Sequence, residues 1–128
     1  MDAVAALADL TEISSQIESA AVLDESGALL AATPDIQTRG ERLARTGSEL
    51  LAAARRHFQD DARTLTQLEV ALRDGSVFVV LDDGRCIVAT TGAGPTSGLV
   101  FYDLRTCLRA VDKPAPKRTR TRKAKTDA

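Results

Sequence analysis

Aromatic residues are almost missing from this chain. One Tyr, three Phe and no Trp occur in 128 residues, 3% of the total. Any core must therefore be built from Leu, Val, Ile and Ala. Cysteine is nearly as scarce, with Cys86 and Cys107 alone, each inside an apolar run. Two such thiols make no disulfide framework, and their surroundings predict buried, inert groups. No Cys-x-x-Cys, His-x-x-x-His or Asp-rich loop has metal-ligand spacing. His57 is the only histidine. It stands at the predicted C-terminal end of a helix, where favouring the helix dipole is the expected role, ahead of general-base work. No stretch approaches the ~20 apolar residues of a membrane span. The N-terminus has no basic segment leading into an apolar one. These absences predict a cytoplasmic, non-enzymatic protein without cofactor or metal.

What is present is a globular composition, 44% hydrophobic, in a length that suits one domain. A body of roughly 110 residues buries about two-thirds of its unfolded surface, enough to fold without staples. The net charge of −1 hides a split. Residues 113–128 hold seven basic residues and one acid, a charge of +6, and leave ten basic and seventeen acidic residues, −7, in 1–112. The expected organisation is a folded body, 1–112, and a disordered basic tail, 113–128, with no apolar side chain larger than Pro or Ala to bury. Lys117, Arg118, Arg120, Arg122, Lys123 and Lys125 are its candidate contacts to a polyanion. Nucleic acid and an anionic membrane surface fit equally well, as does a tail that merely solubilises or folds back on the acidic body.

Val4, Leu7, Leu10, Ile13 and Ile17 recur at three- and four-residue steps and predict a first helix over 2–17. Two short apolar runs, 20–24 and 28–32, flank Glu25-Ser26-Gly27 and predict a β-hairpin ended by Pro34. Thr38 with Glu41 has the form of a capping box, opening a second helix over 39–57. Leu43, Leu50 and Phe58 mark one of its edges, and Gly40, Ala44, Gly47, Leu51 and Ala54 another. Two glycines inside a helix each cost about 1 kcal/mol relative to Ala. Close packing on the chain's own sheet and a helix–helix dimer seam both account for them. Strand patterns follow at 65–73, where Leu68, Val70 and Leu72 share a face, at 76–81, apolar throughout and so covered on both sides, and at 85–91. Asp74-Gly75 and Asp82-Asp83-Gly84 are the intervening turns. Gly92, Gly94 and Gly98 lie in a loop without phosphate-cradle spacing. Pro95 is placed in the first turn of a last helix with Leu99, Tyr102, Leu104, Leu108 and Val111 inward, ending before Pro114.

The order α-β-β-α-β-β-β-α, with tight turns between adjacent strands, predicts an α+β fold: a five-stranded antiparallel sheet with helices on both faces. The first-helix stripe, the hairpin Ala21 to Ala31 with its Asp24-x-x-Gly27 turn, the Ala-rich helix Leu43 to Ala54, the three-strand meander and Gly98-Leu99-Val100 together resemble the Roadblock/LC7 family, over about residues 3–110. That resemblance implies profilin-like layering and a homodimer, or a pairing with a second Roadblock-type subunit, through the second helix and third strand. The seam would use Gly40, Leu43, Ala44, Gly47, Leu51, Ala54, Leu68, Val70 and Leu72. Members of the bacterial MglB type regulate small Ras-like GTPases, so the resemblance implies such a partner. It assigns no catalytic role to Arg39, Arg42, Arg45 or Arg55, and the basic tail is not part of the family pattern.

Overall fold

A computed structural model describes residues 1–34, 39–58 and 67–112. The capping pair's Thr38 and the basic tail lie outside the described residues. The elements are α1 (Ala3–Ile13), β1 (Ile17–Leu23), β2 (Leu29–Thr33), α2 (Glu41–Phe58), β3 (Gln67–Ala71), β4 (Gly75–Asp82), β5 (Arg85–Gly92) and α3 (Ser97–Ala110). The predicted order is the observed one. The strands form one antiparallel sheet in the spatial order β2-β1-β5-β4-β3.

Alternation along the middle strands divides the core in two. Ala20, Val22, Phe78, Val80, Ile87 and Ala89 point to one side, where α1 and α3 cover them with Ala6, Leu7, Leu10, Val100, Leu104 and Leu108. Phe101 meets Phe78 edge to face, with ring centroids 5.0 Å apart. Ala21, Leu23, Val79, Cys86 and Val88 point to the other side and meet Leu43 and Leu51 of α2. The apolar run of β4 is thus covered on both faces, as its composition requires.

Each turn has a visible local cause. The Asp24 carboxylate accepts from the Ser26 amide and hydroxyl and from the Ala28 amide, at 2.7–3.0 Å. The Ser26 hydroxyl and the Ala28 amide favour its ionised form and hold its pKa below the usual carboxylate value. Gly27 then takes a positive φ of 88°. Asp83 (φ 56°) and Gly84 (φ 83°) occupy the left-handed region in succession, the type I′ geometry whose twist matches the β4–β5 hairpin. Between β3 and β4 the two turn residues are Arg73 and Asp74, closed by a 2.8 Å bond from the Leu72 amide to the Gly75 carbonyl. Gly75, expected in the turn, instead begins β4. A Cβ there would lie 2.3 Å from the Thr91 carbonyl oxygen, so only glycine fits.

Several expectations need correction. The first helix stops at Ile13, and Ile17 opens β1. Val4 (67% exposed) and Ile13 (70%) face outward, while Ala3, Ala6, Leu7 and Leu10 are buried. On α3, Leu99 (50%) and Tyr102 (65%) are exposed, whereas Val100, Asp103, Leu104, Cys107 and Leu108 are buried. Both helices are rotated so that small residues meet where α1 and α3 touch, a row that hydrophobic size alone does not single out. Pro95 precedes the helix, whose N-cap is Thr96. α2 runs from Glu41, and β3 ends at Ala71, so the exposed Leu72 is no longer part of the strand.

Candidate interaction surfaces

α2 lies across β1 and β5. At its centre a Cβ on Gly47 would come within 2.3 Å of Val88 Cγ2. The glycine is therefore what lets the helix backbone rest on β5, and its propensity cost is offset by packing within the chain. Leu43 and Leu51, one turn to either side, are buried on the same cluster, and Gly40 is buried as well. Ala44 and Ala54 are half-buried along the flanks. The predicted seam residues are thus divided. Leu43, Gly47 and Leu51 hold α2 to its own sheet and Gly40 is buried, whereas Ala44, Ala54, Leu68, Val70 and Leu72 keep surface uncovered.

That uncovered surface continues onto β3. Pairing Leu68 with Val79 and Val70 with Val77 puts all four side chains on the α2 side of the sheet. Because α2 sits over β1 and β5, Leu68, Val70 and Val77 remain half-exposed beside it. The opposite side of β3 is polar and tied to α3, where Ser97 donates to Glu69 at 2.9 Å and Arg105 donates to Gln67.

Two concavities among the described residues have no counterpart in the sequence patterns. One, about 210 Å³, lies between the β1–β2 turn, α2 and the β4–β5 turn, with Ser48, Leu51, Arg55, Leu81 and Cys86 in its wall. The Arg55 Nε is enclosed there without a hydrogen-bond partner. The only sequence trace of this placement is its spacing, four residues beyond Leu51 on the buried row. The other is an apolar groove between α1 and α3, lined by Met1, Ala6, Leu10, Ile13, Cys107 and Ala110 with the carboxylates Asp9 and Asp103.

Reactive groups are not gathered at either place. His57 is exposed at the end of α2. Burial pushes the Cys86 thiol up to about 12, against the opposing pull of the Arg55 charge. Burial also raises Cys107 to about 11, with the nearby Asp9 charge adding to the effect. Among the described residues no set of three or more His, Cys, Asp or Glu is arranged to hold a metal ion. Nor is any described helix long and apolar enough to cross a membrane.

This layout, an open five-stranded antiparallel sheet with α1 and α3 on one face and α2 on the other, is the Roadblock/LC7 fold. Among solved structures it is similar to a Roadblock/LC7 domain from Streptomyces avermitilis, at 17% identity and TM-score 0.73, covering 86% of this chain and 94% of that one. It is also similar to Myxococcus xanthus MglB, at 14% identity and TM-score 0.67 over 84% and 89% of the two chains. The gliding protein MglB of Thermus thermophilus matches at 15% identity and TM-score 0.61, over 85% and 84%. No family model and no curated protein matches the sequence.

Gly47→Ala is expected to lower the stability of the fold by about 1–2 kcal/mol in urea denaturation. The overpacking against Val88 outweighs the gain in helix propensity. Combining it with Val88→Ala should cost less than the sum of the two single changes, and strict additivity would show that the helix does not rest there. The cysteines give a second expectation. A maleimide at pH 7.5 should modify neither thiol in the native protein and both after unfolding, and rapid native labelling would contradict the burial. Because both folded pKa values exceed the unfolded value of about 8.5, their contribution is fully present at neutral pH. It declines as pH rises from about 9 toward 11–12 and unfolded thiols ionise first.

Proposed function

We propose that this chain is a non-enzymatic dimeric regulator or scaffold of a small Ras-like GTPase. Its self-association surface comprises the flank of α2, with Ala44 and Ala54, and the open side of β3, with Leu68, Val70 and the adjoining Leu72. The observation that carries this reading is the half-covered apolar strip of Leu68, Val70 and Val77 beside α2, in a fold shared with MglB. A second copy on that strip would supply the cover that α2 does not. One MglB structure has a tetrameric arrangement, which supports self-association as a use of this fold. Leu43, Gly47 and Leu51 are better read as the anchor that presents this surface than as contact residues. The GTPase partner rests on the likeness to MglB-type regulators.

Light scattering should find the purified chain as a dimer, and Val70→Arg should yield a folded monomer, because a charge on a half-exposed strand position opposes association more than folding. A monomeric unaltered chain would remove the seam. Affinity capture from the source cell should recover a Ras-like GTPase, and a dimer that captures none would leave only the scaffold.

The split charge supports a second reading, an adaptor whose body, 1–112, is tethered to nucleic acid or an anionic membrane by the tail, 113–128. Binding by charge alone weakens steeply with salt. Removing 113–128 should abolish binding to duplex DNA and to anionic vesicles at low salt, and binding that survives the deletion would overturn this reading.

A further inference from the structure

The groove between α1 and α3 holds a charge without a counterpart. Asp103 stands in the middle of α3 and is only 8% exposed, yet no hydrogen bond or ion pair reaches its carboxylate among the described residues. Its carboxylate opens onto the groove, where an apolar surround leaves it best met by a cation or a hydrogen-bond donor. The remaining lining is apolar, from Met1, Ala6, Leu10, Ile13 and Ala110, apart from Thr106 and a second carboxylate, Asp9. Among the described residues no Lys or Arg lines this groove, and α1 carries none. Such a surface asks for a segment with small apolar residues followed by a cation.

The chain supplies one at the groove's own end. The Asp112 amide donates to the Met1 carbonyl at 2.7 Å, and the Met1 ammonium donates to the Ala110 carbonyl and the Asp112 carboxylate. Arg85, buried beneath, donates to the Val111 carbonyl at 2.5 Å. These bonds fix Asp112 beside Met1 and Ala110, which themselves line the groove. From there the sequence continues Lys113-Pro114-Ala115-Pro116-Lys117-Arg118. Along α3 the distance from Ala110 back to Asp103 is about 10 Å at the helical rise of ~1.5 Å per residue. A Pro-containing extended stretch covers that distance in three or four residues at ~3.1 Å each.

We propose that the groove between α1 and α3 is a binding site for the basic tail of the same chain, with Pro114-Ala115-Pro116 lying on its apolar floor and Lys117 or Arg118 meeting Asp103 and Asp9. Charge complementarity and the fixed point of departure both favour this occupant over a segment from elsewhere. Occupancy would hold back part of the tail's positive charge from outside polyanions, so the groove and a phosphate-bearing surface compete for the same residues. The site is on the opposite side of the sheet from the dimer strip and is independent of the GTPase reading.

The full chain tests this with a nitroxide attached at Thr121→Cys, since the two native thiols are buried. At low salt, paramagnetic broadening should concentrate on the amides of 9–13 and 103–107. It should be lost in about 0.5 M salt, where the Debye length falls to roughly 4 Å, and sharply reduced in Asp103→Asn and in Asp9→Asn. Asp103→Asn removes only a charge, so its thermal midpoint should be unchanged or higher, which separates loss of the site from loss of the fold. Broadening spread evenly over the surface, or unaltered by Asp103→Asn, would overturn the proposal. So would broadening that appears in full when labelled ¹⁴N chains are mixed with unlabelled ¹⁵N chains, because the occupant would then be another molecule.

Discussion

Val88 on β5 meets the backbone of α2 at Gly47, and much of the molecule follows from how close that approach is. Among the described residues one helix covers this side of the sheet, and it has few large residues with which to do so. By resting directly on the middle of the sheet it seals Ala21, Leu23, Cys86 and Val88 between Leu43 and Leu51. The same choice leaves Leu68 and Val70 of β3 only partly covered among the described residues. On the other side two helices share the work, and there Phe78, Ile87 and Val80 disappear completely from solvent. The asymmetry of one helix against two produces the half-covered strip at Leu68 and Val70.

Period-two patterns and turn chemistry made the sheet legible. The apolar run of 77–81 could only be a strand buried on both faces, and Asp24-x-x-Gly27 and Asp83-Gly84 carry their turn geometry in their residue types. Helix rotation was much less legible. Val4, Ile13, Leu99 and Tyr102 are larger than Ala3, Ala6 and Cys107, yet the smaller residues went inward because α1 and α3 pack close to each other. A burial signal based on size points the wrong way when the contact selects for smallness. Asp103 is the extreme case, since nothing about an aspartate between Tyr102 and Leu104 announces that it will be covered. The spacing of Gly40 and Gly47 signals a close contact without saying with what, and the structure places Val88 against Gly47.

Among the described residues two incompletely covered apolar surfaces differ in chemistry. The strip on β3 and β4 presents Leu68, Val70 and Val77, while Glu69 is turned to the far side of the sheet and held by Ser97. It suits a dry, self-complementary contact. The groove on the other side has carboxylates in an apolar wall and suits a cationic segment. Separating the two by the thickness of the sheet lets each be filled without disturbing the other.

The bonds joining Met1 to Ala110 and Asp112 connect positions 109 and 111 residues apart. They close the chain into a ring whose entropy cost exceeds that of a short loop only by a logarithmic term. Such contacts require α1 and α3 both to be in place against the sheet, since one partner lies just before α1 and the others at and just after the end of α3. The two termini of the folded body are thereby held side by side, so that α1 and α3 are tied at one end by the chain's own first residue.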